Sequence, residues 1–195
     1  MAKNYILLQA YGTKGILDEA IFTALTFHEL QTKPDVTFVI YTDDEPYFKG
    51  RVPETTRFEK LNSDILQEWR GVTDFVHRVK IEIIRDFLSK YEGNMLYIDT
   101  DTTFIADPSP VFDGIERGEV FMHVCEGQLD RTSNLVFKKL VKFLKDKVFK
   151  MPDGTDLRIA TDVFMWNAGA LGFDNRLLPK VDKVLELTDV LHRQY

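Results

Sequence analysis

Asn94-Met95-Leu96-Tyr97-Ile98-Asp99-Thr100-Asp101-Thr102 decides how this 195-residue sequence is read. The run from Met95 to Ile98 is short and continuously apolar, as expected of a strand buried on both faces of a sheet. It stops at two carboxylates. Residues two apart in an extended chain point the same way, which predicts that Asp99 and Asp101 face one side at the end of the strand. Two like charges so close repel each other and resist desolvation, and a hard cation removes both penalties. Mg2+ or Mn2+ suits such oxygen donors and keeps water and phosphate oxygens in its remaining positions. An acidic protein can bind a diphosphate in this way, because the metal inverts the local charge. The competing reading of the same residues is an Asx-type turn that holds no ligand.

Outward from this stretch, strands and helices alternate. Tyr5 to Ala10 is a second buried-strand run, followed by Gly12 and Gly15. Asp18 is placed to cap a helix reaching about Gln31, with Ala20, Ile21, Ala24, Leu25, Phe27 and His28 at helical spacing. Val36 to Tyr41 reads as a β-branched strand, announced by Pro34-Asp35 and stopped by Thr42-Asp43-Asp44. Arg57 to Leu61 reads as a more exposed strand. From Phe75 to Tyr91, positions Val76, Val79, Ile83, Ile84, Phe87, Leu88 and Tyr91 mark one face of a long helix, which Gly93 closes. After the D-T-D stretch come a strand over Glu119 to Val124 and a Lys-rich amphipathic helix over Leu135 to Lys150. A strand over Val163 to Phe173 with a glycine break follows, then a last helix from about Asn175. This order predicts an α/β fold with a mostly parallel sheet and helices on both faces. Ligands of such sheets bind beyond the carboxyl ends of the strands.

Hydrophobic residues at 44% and charged residues at 29% fit a globular chain, read as one domain over 1–195. Cys125, the only cysteine, excludes an intramolecular disulfide and reads as a small buried residue beside the apolar run 120–124. The net charge of −6 disfavours nucleic acid and anionic membranes unless a local basic patch exists. Lys138-Lys139 and the lysines between 142 and 150 read as a solvated helix face. No apolar stretch approaches the roughly 20 residues of a membrane span, and residues 1–10 lack the features of a signal peptide. The expected location is cytoplasmic.

Taken together, these motifs resemble the GT-A glycosyltransferases, the nucleotide-diphospho-sugar transferase fold, nearest to the type-8-like members. Asn94 to Thr102, continued by Asp107-Pro108, is similar to that family's LYxDxDxxxxxDP element. Trp166-Asn167-Ala168-Gly169-Ala170-Leu171-Gly172-Phe173 is similar to its xNSGxxxF element. The opening strand and Val39 to Asp43 match its first two nucleotide-facing strands, so the resemblance covers nearly the whole chain.

The resemblance implies a Rossmann-like GT-A fold. It also implies transfer of a sugar from a nucleotide-diphosphate sugar, expected to be a UDP-sugar, to a saccharide or other hydroxyl acceptor. Asp101 would bind the Mn2+ or Mg2+ directly. Asp99 would touch the ribose, or the metal through water. Ala10, Tyr11 and Gly12 would border base and ribose, with Thr42 and Asp43 nearby and Thr100 between the carboxylates. Arg78 and Lys80 would reach the diphosphate or the sugar. Asn167 and Gly169 would sit beside the transferred sugar, and Asp162 would hydrogen-bond its hydroxyls.

The residues themselves leave other readings open. His77, Arg78 and Lys80 start a helix where donors could meet an anion, or they are solvated, capping or ion-paired. Asn167 and Asp162 are also plausible turn or helix caps, and Trp166 reads as core rather than as a sugar platform. The family's chains continue past the N-x-G element and supply a further histidine. Here the sequence ends at Tyr195, and His192 has no matching context, which leaves an incomplete, non-catalytic nucleotide-binding domain as one alternative. Another is the D-x-D-x-[TV] nucleophile motif of haloacid-dehalogenase-like phosphatases, which Asp99 to Thr103 also resembles.

Overall fold

The computed structural model describes residues 3–32, 35–145 and 147–194. In chain order the first half comprises β1 (Asn4–Ala10), α1 (Lys14–Leu30), β2 (Val36–Thr42), α2 (Glu45–Phe48), β3 (Arg57–Lys60), α3 (Ser63–Arg70), α4 (Arg78–Lys90) and β4 (Asn94–Ile98). Then follow α5 (Ser109–Glu116), β5 (Phe121–Met122), β6 (Cys125–Gln128), α6 (Leu135–Leu144), β7 (Phe149–Lys150), β8 (Asp156–Leu157), β9 (Phe164–Trp166), β10 (Ala170–Asp174) and α7 (Leu178–Gln194).

A mixed sheet in the order β3-β2-β1-β4-β10-β5 forms the centre. The first four of these strands are parallel, and β10 runs antiparallel to both β4 and β5. The most apolar strands, β1, β2 and β4, lie side by side in the sheet, where helices cover both faces. Ile6, Leu8, Ile40, Leu96 and Ile98 pack with Leu17, Ala24 and Phe27 of α1 and Phe112 of α5. The alternate residues Tyr5, Leu7, Val39, Tyr41, Met95 and Tyr97 pack with Val79, Ile83 and Phe87 of α4 and Val181 of α7. Phe87 has no exposed surface. Its truncation to alanine would cost about 3–5 kcal/mol.

The α4–β4 junction shows how tightly the site strand is set. Gly93 has φ +142°, and a Cβ there would lie 2.2 Å from Lys3 O, so only glycine fits. Asn175 accepts from Gly93 N–H at 2.7 Å and donates to the Leu88 and Tyr91 carbonyls, tying the last turn of α4 to the start of β4.

Several expectations are corrected. α1 begins at Lys14 rather than Asp18, whose carboxylate instead accepts from Tyr47 Oη at 2.9 Å and Arg51 at 3.1 Å. Leu25 and Val76 face solvent at 45% and 50% exposure. The strand expected over 119–124 shrinks to β5, and Cys125 is exposed because β6 leaves the central sheet to pair with β9. The helix expected to run to Lys150 ends at Leu144, and Phe149–Lys150 form a small hairpin with β8. The strand expected over 163–173 is two strands in two sheets, β9 and β10, and Trp166 is 45% exposed rather than core. Pro34 lies outside the described residues.

Candidate active site

A cavity of about 410 Å³ lies beyond the carboxyl ends of β1 and β4, lined by Gln9, Tyr11, Ile16, Glu19, Val76, His77, Asp99, Thr100 and Asp101. Asp99 and Asp101 open onto the same space, although the backbone reaches this arrangement differently from the extended chain expected. Thr102 N–H donates to Asp99 O at 3.1 Å, so residues 99–102 form a turn. α1 holds that turn from beneath. The Thr23 hydroxyl, fully buried, lies 2.8 Å from Thr100 O and 2.6 Å from Thr102 O. Thr100 Oγ1 donates to Glu19 at 3.2 Å.

The two carboxylates have opposite settings. Asp99 Oδ1 accepts from Tyr97 Oη at 2.7 Å and pairs with Lys80 Nζ at 2.7 Å. Burial pushes the Tyr97 phenol well above its ordinary pKa, and the Asp99 charge adds to that, so Tyr97 stays a neutral donor. Lys80 Nζ also donates to Ala168 O at 3.2 Å and stands 5.0 Å from the centre of the Tyr97 ring. Asp101 is exposed and has no hydrogen-bond or ion-pair partner among the described residues. No group of three or more His, Cys, Asp or Glu placed to hold a metal occurs among the described residues. Gln9, whose Oε1 is buried without a partner, and Glu19 also bring oxygens to this cavity, and its adjacent carboxylates are Asp101 and the remaining oxygen of Asp99. Such a pair fits a hard cation whose other positions are filled by phosphate and water.

The loop after β1 is joined to the end of β2. Gly12 N–H donates to the Asp43 carboxylate at 3.1 and 3.3 Å, which brings Tyr11 and Gly12 against Asp43. Ala10 and Thr42 are register partners buried in the sheet, so they shape this corner by their backbone. Burial, and more weakly Asp43, pushes the Tyr11 phenol up, against the opposing charge of Arg70.

On the other side, β10 meets β4 at the N-A-G segment. Asp99 N–H donates to Gly169 O at 2.8 Å, and Asn167 Oδ1 accepts from Gly169 N–H at 2.7 Å. Asn167 Nδ2 donates to Glu126 at 3.1 Å. A Cβ on Gly169 would lie 2.8 Å from Asn167 Oδ1 and 3.4 Å from Asp99 Oδ2, which places these three residues together. Asp162 is exposed in the loop before β9 and is not among the residues that line the cavity; its carbonyl accepts from Gln128 at 3.3 Å.

Arg78 does not line the cavity. Its guanidinium donates to Asp189 at 2.7 and 3.2 Å, to Glu82 at 2.8 Å and to Trp69 O at 2.8 Å, clamping α4 to α7. His77 lines the cavity, and the His192 ring lies against Phe75 with centroids 3.7 Å apart. Sequence reading missed Gln9, Glu19 and Thr23. Glu19 and Thr23 lie on α1 four residues apart, a helical spacing that puts both on the side facing the D-T-D turn.

No protein-family model matches this chain, and no curated protein matches its sequence. Solved structures do match. Mouse xyloside xylosyltransferase 1, in its apo form, superposes with a TM-score of 0.63 at 10% identity, covering 97% of this chain and 74% of that one. The galactosyltransferase LgtC, in complex with donor and acceptor sugar analogs, gives 0.58 at 13% identity, covering 95% and 66%. The glycosyltransferase GlyE of Streptococcus pneumoniae TIGR4 gives 0.55 at 14%, covering 100% and 41%. The chain thus spans less than two thirds of the LgtC and GlyE chains. At these identities the likeness shows the fold: an α/β GT-A fold with a mixed central sheet.

Proposed function

We propose that this chain binds a nucleotide-diphosphate sugar, with UDP-sugars as the first candidates, and serves its transfer to an acceptor hydroxyl as a glycosyltransferase. One observation carries the proposal: Asp99 and Asp101 open together onto a cavity beyond the strand ends, between the Tyr11–Asp43 corner and the Asn167–Gly169 turn. In this reading base and ribose lie toward Tyr11 and Asp43, and the sugar toward Asn167 and Gly169. The likeness in fold to glycosyltransferases supports it.

In this reading Asp101 and Asp99 hold Mn2+ or Mg2+. A divalent ion bound there supplies the Lewis-acid neutralisation of a leaving diphosphate. Tyr11, Gly12 and Asp43 position the nucleoside. Lys80, the only one of the two expected helix cations that reaches Asp99, places a positive charge beside the leaving group. Arg78 acts through α4, holding the helix that presents Lys80. Asn167 and the small Gly169 let the sugar approach Asp99 closely. Asp162, exposed in the loop before β9, hydrogen-bonds sugar hydroxyls in this reading. The phosphatase reading finds no support here, because the D-T-D turn closes β4 and nearly a hundred residues precede it.

A thermal-shift panel of nucleotide sugars, with and without Mn2+, tests the proposal. A donor at about 100 times its dissociation constant adds about 2.7 kcal/mol of stability. A shift that requires both metal and nucleotide is the expected result. No shift with any nucleotide sugar would reject the reading. Binding without sugar release would identify a donor-binding domain without turnover.

A further inference from the structure

We propose that the outward face of α6 is a docking surface for an anionic lipid bilayer. Charge segregation along the chain is the first observation. Residues 131–150 hold seven of the 25 basic residues and one of the 31 acidic ones, so this segment is +6 while the rest of the chain carries −12. Like charges so concentrated need a partner, and the fold supplies few. Lys138, Lys139, Lys142 and Lys145 are exposed and make no ion pair among the described residues. Lys150 alone of the segment's lysines pairs with a described carboxylate, that of Asp156.

Helical geometry sharpens the patch. Leu135, Lys138, Lys139 and Lys142 recur at the i, i+3, i+4, i+7 spacing of one helix face. The opposite face is spent: Phe137, Leu140, Val141 and Leu144 pack into a core cluster with Leu129, Phe149 and Val190. Leu135 is nevertheless 73% exposed and Val136 beside it 65% exposed. An aliphatic pair in the first turn of a lysine-bearing face fits a bilayer surface, where headgroup phosphates meet the ammonium groups and the aliphatic tips enter the acyl boundary.

The same features disfavour nucleic acid. α6 carries no exposed aromatic side chain on which a base could stack. The exposed Phe164 and Trp166 do not complete such a platform. Met165 between them packs into the cluster beneath α6, so its two neighbours on β9 point the other way. The negative charge of the rest of the chain does not forbid docking, because screening limits its reach to about 10 Å at 0.1 M salt. With the inner face of α6 packed on its own core cluster, contact is shallow and electrostatic attraction must supply most of it. Docking is therefore salt-sensitive.

Flotation of the full chain with phosphatidylcholine vesicles, with and without about one-third anionic phospholipid, tests this. The expected result is co-flotation with the anionic vesicles only, weakened at high salt. The charge-reversed variant K138E/K139E/K142E loses it by at least about tenfold. K138Q/K139Q/K142Q, less disruptive and checked for native circular dichroism, shows the same direction, and Leu135→Ser a smaller loss. Absence of co-flotation, equal flotation with neutral vesicles, or retention by the charge-reversed variant overturns the proposal. So does tighter binding to a single-stranded oligonucleotide than to anionic vesicles at equal ionic strength.

Discussion

Lys80 is the partner of Asp99: its ammonium nitrogen stands 2.7 Å from Oδ1 of the carboxylate that opens onto the cavity. The pair is poorly exposed, with side chains at 17% and 33%. A lysine so placed neutralises one of two adjacent negative charges and leaves Asp101 as the free one. It also competes with any cation that Asp99 would help to hold.

Lys80→Met should therefore change metal and donor binding in opposite directions. Two unit charges about 4 Å apart at an effective dielectric of about 20 interact by about 4 kcal/mol, so even a heavily discounted pair exceeds a factor of ten. Mn2+ alone should bind at least about tenfold more tightly to the variant, and a nucleoside diphosphate should bind more weakly. Titration of free Mn2+ by electron paramagnetic resonance separates the two effects. Loss of both together would mean that Lys80 only supports the fold.

Gly169→Ala probes the sugar side. The added Cβ, at 2.8 Å from Asn167 Oδ1, displaces the acceptor of the Gly169 N–H and presses towards Asp99 Oδ2. Losing that hydrogen bond costs about 1 kcal/mol of stability, which the protein should tolerate. Calorimetry should show nucleotide-sugar affinity reduced by about tenfold or more, with affinity for the nucleoside diphosphate alone nearly unchanged.

Arg78→Met should read out as stability. The guanidinium is 11% exposed and serves Glu82 at 10% and Asp189 at 28% exposure. Removing it strands Asp189 and leaves Glu82 with Arg85 alone, at a cost of about 3 kcal/mol by urea denaturation. Arg78→Lys should recover only part, because lysine cannot reproduce the paired bonds to Asp189. Donor affinity of the folded fraction should change little.

Alkaline pH should weaken the fold through phenols on the α4 side of the sheet. Tyr41 donates to Asp86 at 2.7 Å, Tyr91 to Glu59 at 2.6 Å and Tyr97 to Asp99 at 2.7 Å. Burial first, then the neighbouring carboxylate, raises all three, Tyr91 to about 12 and Tyr41 and Tyr97 well above the ordinary phenol value. Unfolded phenols ionise near 10, so above that pH the unfolded chain gives up protons that the native state keeps. The stability that Tyr91 contributes is intact below about pH 10 and is lost as pH rises through about 12. Urea midpoints should fall between about pH 9 and about pH 11, and Tyr91→Phe should flatten the decline.

The central sheet was legible because strands buried on both faces leave continuous apolar runs, as in Tyr5–Ala10 and Met95–Ile98. Pairing across the sequence was less so. Arg78 reads as a ligand for an anion because nothing nearby reveals Asp189, 111 residues away, as its partner. Asp18 looked like a cap, yet α1 starts a turn earlier and Asp18 serves Tyr47 and Arg51. Cys125 and Trp166 lie on β6 and β9, which leave the central sheet as a separate pair, so their apolar neighbourhood in sequence did not mean burial. The two carboxylates share a cavity as expected, but a turn pinned by Thr23, rather than strand alternation, brings them there.

The most direct test is Mn2+ binding to folded Asp101→Asn, near-isosteric and uncharged, in the presence of a uridine diphosphate. The wild-type chain should bind Mn2+ and nucleotide with mutual enhancement, and the variant should lose that enhancement by at least about tenfold. Equal, nucleotide-enhanced Mn2+ affinity in the two proteins would contradict the assignment of the strand-end carboxylates.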